Sequence, residues 1–286
     1  MSYVISILRL IRIQNCVLAG FAAIVGGYLQ TLQPDRFQLY LFALVASFVC
    51  GAGNALNDRL DIEGDRVNHP RRPLPLGLLR TTEASLVAII LGAAGLALSL
   101  LLDWRLVAIV AGAVTLLIWY NFRLKRIAVV GNVVVAFLGA VAVISGGVAS
   151  GGDIMQLPGS VFPAALAFFL HLAREMTKDM QDIPGDRVVG FATYPLRRNP
   201  RAALTVASLS AGLMVILTLL PAYVHWYNQV YLIITILTVD IPLLVTLILL
   251  HKESKPETLR VANLVFKLGL VMGLLAVYLG GISRAV

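Results

Sequence analysis

Six aspartates fall into two matching groups. Asp58, Asp61 and Asp65 have the same spacing as Asp179, Asp182 and Asp186, and the stretches 57–67 and 178–188 agree at 7 of 11 positions without a gap. On a helix, positions i, i+3 and i+7 share a face. Each motif is therefore expected to project a stripe of carboxylates from a helix end. Asn54 extends the first stripe by a turn, Glu175 does the same for the second, and Asn57 lies beside the first within reach of a shared ion. Carboxylates crowded on one face repel one another unless a cation neutralises them. Oxygen donors favour a hard ion, Mg²⁺ first. Mg²⁺ keeps waters and borrows phosphate oxygens, so one or two carboxylates per ion suffice. Two such clusters suit a bound diphosphate. An ordinary solvated acidic loop would explain the charge but not the repeated spacing.

Cations surround the acids: Arg66, Arg71, Arg72, Lys125, Arg126, Lys178 and Arg187. Guanidinium and ammonium groups clamp phosphate oxygens. Arg72 and Lys178 abut the motifs, and Lys125 is on a short segment able to reach both. Gly64 and Gly185 allow the helices to loosen, while Pro70, Pro73 and Pro184 are expected to limit them.

The segments that must hold these groups are apolar. The chain has 286 residues, 59% hydrophobic and 13% charged, with mean hydropathy +0.86. A soluble domain is about half apolar and about a quarter charged. The expected class is all-α, a multi-pass membrane protein. A span needs about 20 apolar residues, and the sequence predicts nine: 16–29, 38–56, 84–102, 106–120, 127–149, 157–173, 202–223, 230–250 and 261–282. Residues 2–14 are amphipathic and suit the membrane interface. With a cytoplasmic N-terminus, 19 Lys and Arg fall inside and three, Arg36, Arg105 and Arg284, outside. That split is a positive-inside signal. It puts both aspartate motifs at the cytoplasmic face of the cell membrane and the C-terminus outside. The net charge of +8 then reflects orientation in the bilayer, not a nucleic-acid partner. The chain reads as a single domain, 1–286. The motif offset of 121 residues suggests a weak internal repeat of a four-helix unit plus a ninth helix. Cys16 and Cys50 read as small buried hydrophobes.

Asp240 and Lys267 are ionisable groups inside predicted spans, free to pair with each other or with a loop. His171, one turn before Glu175, reads as a hydrogen-bonded structural residue. A secondary transporter is the competing class, but transporter sites lie near the bilayer midplane, whereas these acids lie at one surface.

The stretch Asn57-Asp58-x-x-Asp61-x-x-x-Asp65-x-x-Asn68-x-Pro70-x-Arg72-Pro73 resembles the first motif of the UbiA-type intramembrane prenyltransferases. Lys178-Asp179-x-x-Asp182-x-x-x-Asp186, followed by Gly190 and Thr193, resembles their second. Tyr120 and Lys125 match the family's tyrosine-lysine pattern, and Arg12 and Asn15 its polar pair at the first helix. The resemblance covers nearly the whole chain. It implies a helical bundle around a central cavity that opens to lipid, with a Mg²⁺-bound prenyl diphosphate at the cytoplasmic mouth, two ions for each diphosphate.

Spacing and resemblance together nominate Asn57, Asp58, Asp61, Asp65, Asp179, Asp182 and Asp186 for metal. They nominate Arg12, Asn15, Asn54, Asn68, Arg72, Tyr120, Lys125 and Lys178 for substrate. Asp61, Asp182 and Lys178 are the catalytic nominees. The partners implied are a prenyl diphosphate donor, a lipid or aromatic acceptor, and membrane lipids. Arg174-Glu175 ahead of the second motif, Thr193-x-Pro195 after it, and Asn15-Cys16 with Ala19-Gly20 are most similar to the digeranylgeranylglyceryl phosphate synthase branch. That branch implies geranylgeranyl transfer to the free hydroxyl of geranylgeranylglyceryl phosphate, forming an ether lipid. Pro184 departs from the pattern, since a polar residue is expected there.

Overall fold

The apolar runs become helices of nearly the expected lengths. The computed structural model describes residues 2–282, so Arg284, assigned above to the outer side, lies outside the described residues. The helices are α1 (Tyr3–Leu10), α2 (Ile13–Gln30), α3 (Arg36–Leu60), α4 (Ile62–Asn68), α5 (Thr81–Ser99), α6 (Trp104–Phe122) and α7 (Val130–Ala149). They continue with α8 (Val161–Val188), α9 (Tyr194–Arg197), α10 (Pro200–Tyr223), α11 (Gln229–Thr235), α12 (Ile241–Lys252) and α13 (Pro256–Ile282). A π-helical stretch, Ile236–Asp240, joins α11 to α12 as one rod. Side-chain oxygens start several helices: Asp35, Asp103, Asn199 and Asn228 each accept a backbone N–H at the head of α3, α6, α10 and α11.

Among the described residues, eight helices are long and apolar enough to cross a bilayer: α2, α3, α5, α6, α7, α10, the α11–α12 rod and α13. The protein is an integral membrane protein. The expected sixth span, 157–173, is not among the eight. Its helix, α8, leaves its apolar stretch at Ala173 and runs on through Arg174, Glu175, Lys178 and the second aspartate motif. α8 nevertheless packs against α7, α10 and α13, and α13 returns to α2.

Between helices in lipid there is little hydrophobic drive, so close backbone packing carries more of the association. The α2–α7 contact shows this. A Cβ on Gly26 would sit 2.0 Å from the Val143 carbonyl oxygen, and one on Gly146 would sit 1.9 Å from that of Ala23. No other residue type fits there. α5 and α6 bury few of their residues and expose apolar side chains such as Leu86, Ile89, Ile118 and Trp119, as helices facing hydrocarbon do.

The two motifs differ in backbone, which corrects the expectation of two matching stripes. α3 ends at Leu60, and Asp61 sits between α3 and α4 with φ −101° and ψ 10°. Asp58, Asp61 and Asp65 therefore do not lie on one helix. Asp58 and Asp65 turn to Arg72 while Asp61 turns to Lys125, and Asn57 reaches forward to Asp61. The second motif keeps its stripe, because α8 runs unbroken to Val188. Pro184 does not limit it. Proline removes one backbone donor near the helix end, and a side chain from α4 stabilises the backbone at that point.

A carboxylate-lined cavity beside an apolar chamber

α4 docks on α8 through the glycines of the two motifs. A Cβ on Gly185 would meet the Gly64 carbonyl oxygen at 2.5 Å and Asn68 Nδ2 at 2.4 Å. Asn68 donates from Nδ2 to the Asp182 carbonyl at 2.7 Å and accepts at Oδ1 from the Gly185 N–H at 2.8 Å. Its amide thus brackets Pro184, bonding the backbone on either side of it. Expected as a substrate ligand, Asn68 spends both polar atoms on the α8 backbone.

This docking brings Asp61, Asp65, Asp182 and Asp186 to the wall of one cavity of about 50 Å³, with Arg72 and Lys178 beside them. Asp58 and Asp179 stand back from it. Asp58, almost fully buried, accepts from Arg12 at 2.5 Å and Arg72 at 3.3 Å. Arg12 reaches it from a left-handed turn (φ 51°) between α1 and α2. Asp179 accepts from Asn132 of α7 at 2.8 Å. Arg72 also holds Asp65 at 2.5 Å, and Lys125 pairs with Asp61. Lys125 comes from a 3-10 turn, Leu124–Arg126, that packs against Phe191 after the second motif. Asn57 donates to Asp61 at 2.8 Å and to Asn121 of α6 at 3.3 Å. His69 Nε2 lies 3.0 Å from Asp182 Oδ1, but the two are not aligned for a hydrogen bond.

The electrostatics follow from burial. α8 beyond Ala173 and all of α4 lie outside the apolar spans. Burial pushes the Asp65 carboxyl above its ordinary value against the pull of Arg72. Burial, then the neighbouring Asp182 charge, pushes Asp186 up to about 7. Burial alone would raise Asp182, but His69 and Lys178 hold it below its ordinary value. Raised, crowded carboxylates mark a place where added positive charge is favoured. The donors facing the small cavity are oxygens, and Asp182 Oδ1 has no hydrogen bond. Among the described residues no three acid, His or Cys side chains converge on one point. The residues therefore fit a hard divalent ion that takes one or two carboxylates and completes its shell from a ligand, and they do not fit a cage made by protein alone.

Next to the small cavity lies a chamber of about 320 Å³. Arg12, Asn15, Asn54, Tyr120, Glu175 and Lys178 line its polar end, and the remaining wall is mostly apolar. Asn57 and Lys178 border both spaces. Asn54, one turn before Asp58, donates to the Ile11 carbonyl at 2.9 Å and so ties α3 to the start of α2. His171 corrects another expectation: its Nδ1 has no hydrogen-bond partner, and its ring faces the chamber across Gly139. Asp240 and Lys267 do not pair. Asp240 accepts from Thr218 at 2.9 Å, whereas Lys267 lines the chamber. Sequence reasoning missed His69, Asn121 and Asn132. The last two carried a signal, as lone amides in or at the end of apolar helices.

The sequence profile of the UbiA prenyltransferase family matches residues 16–276. Digeranylgeranylglyceryl phosphate synthase of Pyrococcus horikoshii is 31% identical over 285 residues, covering 97% of this chain and 98% of that one. A solved digeranylgeranylglyceryl phosphate synthase structure superposes with a TM-score of 0.72 at 31% identity, over 99% of this chain and all of the other. A UbiA homologue from Archaeoglobus fulgidus, solved with DMAPP and Mg²⁺, gives a TM-score of 0.68 at 20% identity, over 95% of this chain and 99% of that one. At that identity the likeness speaks to fold.

Proposed function

The chain belongs to the UbiA prenyltransferase family, and from that premise we propose that it moves a geranylgeranyl group from its diphosphate to geranylgeranylglyceryl phosphate. The product is an ether lipid. The observation that carries this reading is the convergence of Asp61, Asp65, Asp182 and Asp186, from both motifs, on one cavity that shares Lys178 with a larger apolar chamber. The diphosphate suits the first space and the isoprenoid tail the second.

Asp61, Asp65, Asp182 and Asp186 would hold Mg²⁺, two ions for each diphosphate, with Asn57 in reach and with Asp58 and Asp179 supporting from behind. When bound, the metal supplies neutralisation of the diphosphate. The remaining work belongs to the chain. Arg72, Lys125 and Lys178 hold phosphate oxygens and stabilise the charge that builds on the leaving group as the C1–O bond breaks. Once a diphosphate takes up Lys125 and Arg72, Asp61 and Asp65 are released from their present partners. Arg12, Asn15, Asn54 and Tyr120 border the chamber beside the reacting carbon, and Asn68 positions the second motif. The attacking hydroxyl gives its one proton either to the departing pyrophosphate or to Asp182 Oδ1.

In this reading nine helices cross the cell membrane, α8 being the ninth, around a central cavity open to lipid. The N-terminus and both motifs lie at the cytoplasmic side and the C-terminus outside, as the distribution of Lys and Arg supports. The chain is one domain, and the 121-residue offset is the trace of an internal repeat.

The test is purified protein with Mg²⁺, geranylgeranyl diphosphate and a panel of acceptors. Ether formation with geranylgeranylglyceryl phosphate is the expected result. Product only with aromatic acceptors would move the protein to a different branch. No pyrophosphate release with any acceptor, together with solute flux in proteoliposomes, would overturn the assignment.

A further inference from the structure

The polar end of the chamber carries more positive charge than the diphosphate reading uses. Arg12, Arg174, Lys178 and Lys267 line it, against the single carboxylate Glu175. Arg12 is engaged by Asp58. Arg174 gives Nη1 to Glu175 at 2.6 Å, while its Nε is buried without a hydrogen-bond partner. Lys178 stands 3.8 Å from Glu175 and 3.9 Å from Asp182. Lys267 makes no ion pair among the described residues, and the charges it faces are Arg174 and Arg12.

Helix register places Lys267 beside Arg174. α13 and α8 run antiparallel. Asn263 of α13 donates to Gln181 of α8 at 2.6 Å, and Gly269 faces Leu170, a built Cβ lying 3.5 Å from Leu170 Cδ2. These two contacts bracket Lys267 and Arg174 at one level. A cation inside an apolar span, without a counter-charge, is unfavourable unless a ligand supplies one.

We propose that Arg174 and Lys267, with Lys178 shared, form the subsite for the phosphate monoester of the lipid acceptor, apart from the carboxylate-lined cavity that takes the donor diphosphate. The inference rests on the function proposed above and adds where the acceptor's head is held. Three cations and Glu175 leave a surplus that matches a phosphate dianion, and Arg174 presents an unused N–H. The acceptor's phosphate and its free hydroxyl sit on neighbouring carbons. Anchoring the phosphate therefore sets the hydroxyl close to Lys178, which borders both spaces. The small cavity, crowded with carboxylates, repels a second phosphate that brings no metal.

The experiment uses the full-length protein with Lys267→Met and Arg174→Gln. Donor and acceptor KM are measured separately, and binding of geranylgeranylglyceryl phosphate is measured by calorimetry without donor or Mg²⁺. Losing one charged hydrogen bond to phosphate should raise acceptor KM and Kd about tenfold or more, with donor KM unchanged. The unchanged donor KM reports an intact fold, and Arg174→Lys should recover part of the loss. The preference for this acceptor over phosphate-free geranylgeranylglycerol should collapse in both variants. Inorganic phosphate and a phosphodiester lipid, added as competitors, separate the acceptor's monoester from other phosphate sources; competition by the diester equal to that by the acceptor overturns the inference. Unchanged acceptor KM in both variants, or equal rises for donor and acceptor, also overturns it and leaves the transfer reaction standing. Wild-type protein that prenylates a phosphate-free acceptor but neither binds nor uses the phosphate-bearing one overturns the acceptor assignment and this subsite with it.

Discussion

Asn68 and Gly185 join the two aspartate motifs: the Gly185 N–H donates to Asn68 Oδ1 at 2.8 Å, where a side chain on residue 185 would collide with the same amide. The cavity exists because α4 can lie this close to α8.

Replacing Asn68 with Ala removes both bonds at once. Each lost hydrogen bond costs about 0.5–1.5 kcal/mol. The expected outcome is a lower melting temperature in detergent and a loss of turnover larger than any change in acceptor affinity. A normal melt with normal turnover would remove Asn68 from the architecture of the site.

Gly185→Ala should separate the motifs without melting the bundle. The new methyl would lie 2.5 Å from the Gly64 carbonyl oxygen, a backbone atom that cannot swing aside. Donor KM should rise while helix content by circular dichroism stays unchanged. Gly212→Ala is the matched control, because a Cβ there meets nothing within 4 Å.

Asp61→Ala and Asp182→Ala should abolish pyrophosphate release in protein that still elutes as a folded species. Wild-type rates in either variant would refute the site assignment. Chelation by EDTA should have the same effect on the unmodified protein, reversed by Mg²⁺ and without loss of helix signal.

Arg72 bridges Asp58 and Asp65. Arg72→Ala leaves buried Asp65 without its ion pair and Asp58 with Arg12 alone, and losing one partner of a buried pair costs about 3–5 kcal/mol. The melt should drop accordingly. Arg72→Lys, one charge without the fork, should recover part of that stability and little of the donor affinity, as read by thermal unfolding and donor KM.

Eight of the nine expected spans and the second motif's stripe were legible in the sequence because each depends on local pattern: apolar runs for the helices, and an i, i+3, i+7 stripe on the one continuous helix α8. The break at Asp61 was not legible. It depends on which cation meets which carboxylate, and those cations arrive from the α1–α2 junction, from residue 72 and from the turn after α6. The structure gives Asn68 to the α8 backbone for the same reason, since its partner is more than a hundred residues away in sequence. The sequence reads an ordinary span over 157–173; α8 starts only at Val161 and meets Arg174, Glu175 and Lys178 within its first 18 residues, which leaves its apolar stretch shorter than those of the eight helices able to cross.

Among the described residues, Arg12, Arg72 and Lys125 supply the counter-ions of the first motif's aspartates, and all precede α7. A nascent chain therefore delivers its leading half to the bilayer with the first motif's aspartates already charge-matched. Assembly finishes when the trailing half brings up its own ledge and seats it against that preset one.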